Sequence, residues 1–239
     1  MSDRGWTGMA DRIRPRKIAG WEFFNEHVRI CDVVRPGGIE CLEKDDRKVA
    51  TLFIEALKGH RRVIDIGCGA GFPGIYVAPY VNELVGVDAA PNMVSAARAN
   101  AAKLNVKNAF FEVGGADGLR FENDEFDGAV LCWLLESLCP ESVSGMISEV
   151  RRVLGPGACI AVLEQDWEQV LSAKPLKHAR VSLEKGGLRL QFVARRATPH
   201  VEAYTWYLTE LVAASGFVDI KIDVLPVWDR ILFLTANKK

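Results

Sequence analysis

The sequence lacks the features that mark several common protein classes. Its six cysteines include no Cys-x-x-Cys pair, so zinc ribbons and thioredoxin-like redox sites lose support. It has no apolar run near the roughly 18 residues that cross a membrane. Its first twenty residues are basic without the apolar stretch of a secretory signal. We therefore expect a cytoplasmic protein with no membrane partner, whose cysteines are mostly reduced and buried.

An excess of charge is also absent. Thirty Lys and Arg face 31 Asp and Glu, for a net charge of −1. A protein that coats nucleic acid would be more basic, so a nucleic-acid partner is not expected. The 239 residues are 49% hydrophobic and 26% charged, which predicts one globular domain with a small cap. We divide the chain into an arm and cap (1–42) and a main domain (43–239) with an insertion (167–200); oligomeric state is left open.

Short apolar runs alternate with helical stretches between residues 43 and 166. Such alternation predicts parallel strands joined by right-handed crossovers. Because the runs are continuously apolar, both faces of the sheet should be covered. The predicted fold is therefore α/β, with a doubly wound sheet. The predicted strands are 62–66, 83–88, 109–113, 126–132 and 158–164, and the predicted helices are 43–58, 73–79, 91–104 and 141–154.

The pattern changes after Asp166. Runs at 181–183 and 188–192 flank a Gly-Gly pair and predict a hairpin, and 200–214 predicts a helix. Two further strands, 217–225 and 230–236, are separated by four residues. A link that short cannot hold a crossover helix, so these two strands should be antiparallel.

The most informative segment is Val63–Gly74, VIDIGCGAGFPG. A strand runs into a Gly-x-Gly-x-Gly turn and then a helix, an arrangement that lets a nucleotide or nucleoside approach the backbone. Gly69-x-Gly71-x-x-Gly74 also matches the dinucleotide fingerprint, a weak signal alone. Asp65 inside the strand argues against a pyrophosphate and favours a ligand with a cationic amino-acid end.

Asp88 ends the second predicted strand, 17 residues after Gly71. A carboxylate there can accept hydrogen bonds from both hydroxyls of a ribose. It can also cap the helix that begins at Pro91. The ribose interpretation is favoured, and it supports a nucleoside without choosing which one.

Four segments together resemble the Rossmann-like class of S-adenosylmethionine-dependent methyltransferases. They are VIDIGCGAGFPG, ELVGVDAAPNMVSAARANA, FENDEFDGAVLCWLLESL and EVRRVLGPGACIAVLEQDW, in that order. The resemblance implies a seven-stranded, mostly parallel sheet with a reversed last strand and an N-terminal helical cap. It also implies S-adenosyl-L-methionine as cofactor and S-adenosyl-L-homocysteine as product.

The resemblance assigns cofactor contacts residue by residue. The glycine turn would cradle the methionine and ribose, Asp65 would organise the loop and face the ammonium, and Asp88 would bind the ribose. Asp117, or the backbone of Ala116, would bind the adenine, because the usual acid position is Gly115 here. A family histidine is missing from Leu135-Glu136-Ser137-Leu138. The full implied set is Asp65, Gly67, Cys68, Gly69, Gly71, Asp88, Ala89, Met93, Ala116, Asp117, Leu131 and Cys132.

Methyl transfer is an in-line displacement that needs alignment more than a fixed catalytic group. A general base is required only when the acceptor must lose a proton; His27 and His200 are weak candidates. No metal site is predicted. The sequence after the fourth strand, LCWL, lacks the Asn/Asp-Pro-Pro-aromatic motif of enzymes that methylate exocyclic base nitrogens, so a small-molecule acceptor is favoured. Alternatives are an RNA or protein acceptor, a non-catalytic binding subunit and a nicotinamide-dependent reductase.

Residues 172–200 carry seven basic side chains and one acid, a local charge of 7 − 1 = +6. Basic side chains can protect the exposed edge of a hairpin. They can also form a positive rim that steers an anionic substrate. Protection of the hairpin edge is the favoured interpretation, and steering of an anionic substrate is kept as the alternative.

Overall fold

The computed structural model describes residues 21–135, 138, 140–165, 177–184, 187–194, 209, 211–225 and 231–239. The helices are α1 (Trp21–Glu26), α2 (Val28–Cys31), α3 (Lys44–Leu57), α4 (Gly74–Val77), α5 (Pro91–Lys103) and α6 (Pro140–Val153). The strands are β1 (Arg62–Ile66), β2 (Glu83–Asp88), β3 (Ala109–Val113), β4 (Phe126–Cys132), β5 (Leu154–Gln165), β6 (Lys177–Glu184), β7 (Gly187–Ala194), β8 (Phe217–Leu225) and β9 (Ile231–Lys238).

Seven strands form one sheet in the order β3-β2-β1-β4-β5-β9-β8. The first five are parallel, whereas β9 runs antiparallel to both β5 and β8. This confirms the predicted sheet with its reversed last strand. The chain passes from β1 to β2 and β3 on one side of β1 and then crosses to β4 on the other side. Ligands in open α/β sheets bind where the winding changes direction in this way, at the carboxyl ends of the strands.

Two apolar layers cover the sheet. Val63 of β1 packs in the layer that contains α3 and α5. Its neighbours Ile64 and Ile66 pack in the layer that contains α6. Successive side chains of a strand point to opposite faces, so a strand covered on both sides is apolar throughout. The central strands are therefore rigid supports for the loops that follow them.

The bounds of β1 to β4 agree with the sequence prediction, and α3, α5 and α6 agree to within one residue. The predicted start of the fifth strand was wrong. β5 begins at Leu154, which pairs with Phe126, and the register then shifts before Gly128 pairs with Cys159. The helix predicted at 73–79 is shorter in the structure, because α4 ends at Val77 and a 3-10 turn follows at Ala78–Tyr80.

The N-terminal segment forms two short helices, α1 and α2, because His27 between them leaves the helical region at φ −121° and ψ 35°. The antiparallel pairing of β6 with β7 agrees with the expected hairpin. The predicted helix at 200–214 lies largely outside the described residues, as does most of the 167–200 insertion. In the part of the chain described here, no helix has the length and apolar character to cross a membrane.

Candidate functional site

The loop after β1 is built on glycines in the left-handed region of φ. Gly67, Gly69 and Gly71 have φ of +72°, +51° and +104°, values that cost other residues about 1 kcal/mol or more. The backbone N–H groups of Gly67 and Cys68 both donate to the Val87 carbonyl, at 2.8 and 3.1 Å. The loop is therefore fastened to the end of β2, and its alternation of glycines is a backbone requirement.

Asp65 lies in β1 just before this loop and is only 1% exposed. Neither carboxylate oxygen has a hydrogen-bond partner of ordinary geometry. Burial raises the pKa of Asp65 well above its usual range and the charge of Asp88 raises it further, while the Gly74 N–H lowers it. A buried carboxylate without a partner is unfavourable, so this position fits a cationic or hydrogen-bond-donating ligand.

Asp88, the last residue of β2, bridges two backbone segments. Its Oδ2 accepts from the Gly69 N–H at 2.9 Å and its Oδ1 accepts from the Ala90 N–H at 2.8 Å. Ala90 is the N-cap of α5, so the alternative interpretation of Asp88 as the helix cap was wrong. Burial raises the pKa of Asp88, while the two N–H groups lower it. Each oxygen keeps lone-pair capacity for a further donor, and the ribose role remains a prediction.

The segment after β4 approaches the glycine loop from the side of β1 that lies away from β2. A Cβ on Gly67 would lie 2.7 Å from Leu134 Cδ1. The Leu135 N–H donates to Oε1 of the fully buried Glu164 at 2.8 Å, which fixes this segment to the end of β5. Glu164 was not among the site residues predicted from the sequence. The signal was a carboxylate that follows the apolar run of the fifth strand.

Trp133 begins the same segment with φ of +52°, a conformation that is an outlier for a bulky residue. Its N–H donates to the Leu163 carbonyl at 2.9 Å. Leu131 is fully buried in the layer with α6, whereas Cys132 and Trp133 are half-buried against the other layer. Of the two predicted residues at the strand tip, only Cys132 has a partly accessible side chain.

The remaining predicted residues differ in how deeply they are buried. Cys68 is buried with its Cβ close to Gly86, and burial raises the pKa of its thiol well above the usual value. Met93 is 1% exposed and packs with Ala70 and Ala90.

Ala89 is half-buried, as is Ala116, which packs against the layer with α6. Asp117 is exposed. The Gly114 N–H donates to the Asp88 carbonyl at 3.0 Å, so the loop after β3 begins beside Asp88. His27 is half-buried between α1 and α2, and His200 lies outside the described residues.

Residues 21–35, which we name the cap segment, are attached to this region. Phe24 and Val28 pack against Met93 and its neighbours. The Arg35 N–H donates to the Tyr76 hydroxyl at 3.0 Å. Across the described residues, no group of three or more His, Cys, Asp or Glu side chains is arranged to hold a metal ion.

The strand order with its reversed strand, and the glycine loop flanked by two acids, are those of the Rossmann-like class of S-adenosylmethionine-dependent methyltransferases. Residues 63–157 match a family described as a methyltransferase domain. This stretch of the chain therefore matches a methyltransferase domain, and the fold around it is that of the Rossmann-like class.

Individual relatives agree with this placement. The uncharacterized methyltransferase YcgJ of Bacillus subtilis is 43% identical over 70 residues, which are 29% of this chain and 28% of that protein. The demethylmenaquinone methyltransferase of Desulfitobacterium hafniense is 31% identical over 145 residues, 59% of this chain and 56% of that protein. The matches to the first three curated relatives span half or less of their length.

Solved structures share the fold. A SAM-dependent methyltransferase of Methanosarcina mazei superposes with a TM-score of 0.60 at 24% identity and covers 78% of this chain and 96% of that one. The PH0226 protein of Pyrococcus horikoshii gives a TM-score of 0.64 at 24% identity and covers 90% and 99% of the two chains.

The residues present fit the cofactor of this class. Asp65 is a buried carboxylate without an ordinary partner, and the cofactor carries an ammonium group. A Cβ on Gly69 would meet nothing within 4 Å, so the centre of the loop faces open space. These two observations are independent of the sequence motif.

Proposed function

We propose that this chain is an S-adenosylmethionine-dependent methyltransferase that acts on a small molecule. The observation that carries the proposal is the position of Asp65 and Asp88 on either side of a loop whose three glycines are left-handed. The Asp65 carboxylate disfavours a pyrophosphate at this loop. Together with Asp88, it favours a nucleoside that also carries a cationic amino-acid group.

The chain's own groups divide the binding work. The glycine loop lets the ligand approach its backbone closely, Asp65 offers its unpartnered carboxylate to the ammonium, and Asp88 offers its remaining lone pairs to the ribose hydroxyls. Met93 and the loop at Ala116 and Asp117 border the adenine in this proposal. Bound S-adenosylmethionine supplies an electrophilic methyl group on a sulfonium.

We propose that methyl transfer depends on how the acceptor is positioned rather than on a fixed catalytic group. The half-buried side chains at the tip of β4, Cys132 and Trp133, pack against an apolar layer and favour an apolar acceptor in a site that excludes water. The relative from Desulfitobacterium, named for demethylmenaquinone, is consistent with that class. His27 and His200 remain the candidate bases for an acceptor that must lose a proton.

We further propose that the cap (1–42) and the insertion (167–200) close over the acceptor. The packing of Phe24 and Val28 beside Met93 supports this for the cap segment. The basic side chains of 172–200 keep an anionic acceptor as one variant of the proposal.

Calorimetric titration with S-adenosylhomocysteine, with NAD⁺ in parallel, tests the cofactor. We expect micromolar binding of the first and none of the second. Binding of NAD⁺ alone would move the glycine loop to the reductase class, and no binding by a folded sample would overturn the proposal.

Turnover with labelled S-adenosylmethionine then tests the acceptor. A panel of quinones, hydroxyquinolines and anionic small molecules is run beside total RNA and a protein extract. We expect label in the small-molecule pool. Label in RNA or protein would show that the acceptor is a macromolecule. Cofactor binding without transfer to any pool would favour a non-catalytic binding subunit.

A further inference from the structure

Two side-chain amides of α5 hold the cap segment, and their surroundings differ. Near the start of the helix, the Asn92 N–H donates to Asn25 Oδ1 at 2.8 Å, and Asn92 Nδ2 donates to the Asn25 carbonyl at 2.9 Å. These bonds lie at the surface. Farther along, Asn100 is only 3% exposed, and its Nδ2 donates to Asp32 Oδ1 at 2.9 Å. The second contact is therefore partly buried.

Asn100 also reaches the glycine loop. The same Nδ2 donates to the Ala70 carbonyl at 3.0 Å, and Lys103 Nζ donates to Asn100 Oδ1 at 3.3 Å. Two acceptors on one side and an ammonium on the other fix the orientation of the amide, because only the NH₂ can donate. Both hydrogens of Nδ2 are used, one toward the cap segment and one toward the loop.

Ala70 lies between the left-handed glycines Gly69 and Gly71. Its neighbour Gly69 is held from the other side, since the Gly69 N–H donates to Asp88. Asp88 and Asn100 therefore fix consecutive residues at the centre of the loop. Asp88 acts from the end of β2, and Asn100 acts from α5.

We propose that Asp32, Asn100 and Ala70 form a coupling relay between the cap segment and the glycine loop, in which Asn100 is a positioning residue for the cofactor. When Asp32 is in place, both Nδ2 hydrogens are satisfied and the Ala70 carbonyl is held. When the cap segment leaves, the buried amide loses an acceptor and is free to turn from Ala70, which loosens the loop.

This coupling rests on the proposed function and extends it. Because coupling between two binding events is reciprocal, a docked cap segment raises cofactor affinity, and bound cofactor stabilises the docked cap segment. The relay acts through Ala70 rather than through a new cofactor contact. Its residues should therefore change affinity more than acceptor preference.

The test compares two variants that each remove one hydrogen bond between the cap segment and α5. Asp32→Ala removes the bond that continues to the loop, and Asn25→Ala removes the bond that does not. We expect Asp32→Ala to weaken S-adenosylhomocysteine binding about fivefold, the size of one hydrogen bond. Asn25→Ala should change it by less than about twofold. Asp32→Asn keeps an acceptor oxygen and should bind like the wild type.

A double-mutant cycle separates the relay from general loss of stability. In an Asn100→Ala background, Asp32→Ala should have no further effect on affinity, because the connection is already broken. If Asn100→Ala does not fold, the relay is tested by comparing the S-adenosylhomocysteine affinity of Asp32→Ala with those of Asp32→Asn and Asn25→Ala. Hydrogen exchange supplies a second readout: S-adenosylhomocysteine should protect the amides of the cap segment in the wild type and less in Asp32→Ala.

The outcomes are distinct. Wild-type binding with equal loss in Asp32→Ala and Asn25→Ala, or with no loss in Asp32→Ala, overturns the relay and leaves the proposed function standing. Failure of the wild type to bind overturns both. Selective loss in Asp32→Ala with rescue by Asp32→Asn supports the relay.

Discussion

Asp88 Oδ2 accepts a hydrogen bond from the backbone N–H of Gly69, 19 residues earlier, at 2.9 Å. The acid at the end of β2 and the glycine loop after β1 are thus one structural unit. The second oxygen of the same carboxylate holds Ala90 at the start of α5. A change at Asp88 should therefore alter the shape of the loop as well as any contact with a ribose.

Asp88→Ala is expected to weaken S-adenosylhomocysteine binding at least about tenfold, because charge-assisted hydrogen bonds contribute about 1.5–3 kcal/mol each. Asp127 is a matched control. Its carboxylate also accepts two backbone N–H groups, from Arg61 and Arg62 at 2.8 Å each, but at the opposite end of β1. Asp127→Ala should lower the melting temperature similarly and leave binding unchanged. Equal binding by both variants would contradict the assignment of Asp88.

Gly67→Ala tests the loop backbone. An alanine there must adopt φ near +72° and place Cβ 2.7 Å from Leu134 Cδ1. Gly59 has φ of +85° with nothing within 4 Å of a Cβ, so Gly59→Ala measures the backbone cost alone, about 1–2 kcal/mol. Urea denaturation should show a larger loss for Gly67→Ala, accompanied by weaker cofactor binding. A loss no greater than that of Gly59→Ala would mean that Leu134 moves freely.

The raised pKa of Asp65 predicts that the free energy of unfolding depends on pH. Burial, and secondarily the charge of Asp88, raises the pKa of Asp65 above its ordinary value of 3.8. Between that value and the raised pKa the folded state binds more protons than the unfolded state, so the free energy of unfolding falls as pH rises through the folded pKa. Asp65→Asn should remove this part of the slope and raise the melting temperature of the ligand-free protein at pH 7, by about 3 °C for each 1 kcal/mol.

The same variant should bind S-adenosylhomocysteine more weakly, since the amide cannot neutralise an ammonium. Melting curves between pH 4 and 8, with and without ligand, measure both effects. A variant that is less stable than the wild type at pH 7 would show that the Asp65 carboxylate stabilises the fold and is not held there for a ligand.

Salt tests the basic segment 172–200. If its local charge of +6 (7 − 1) steers an anionic acceptor, kcat/KM should fall as ionic strength rises, because exposed charges are screened beyond about 10 Å at 0.1 M. A neutral acceptor analogue is the control and should show no such decline. A kcat/KM that is independent of salt for the anionic acceptor would leave these residues the role of protecting a strand edge.

The bounds of β1 to β4, the antiparallel end of the sheet and the glycine loop could be predicted from the sequence. Each depends on local pattern: apolar runs of strand length, a link too short for a crossover, and glycines at alternate positions. Asp88 could be predicted for the same reason, as a charged residue that ends an apolar strand.

The tertiary structure alone decided which side chains those patterns bring together. Asp32 and Asn100 are 68 residues apart in sequence, and no spacing rule joins them. Met93 was placed at the adenine from its position in a motif, and its burial beneath Phe24 and Val28 depends on how the cap segment packs. The isolation of Asp65 likewise arises only when the loop, α4 and β2 close around it. Local pattern determines the backbone path, because hydrogen bonding and side-chain alternation are local. Partners and burial depend on contacts between distant segments, which exist only in the folded chain.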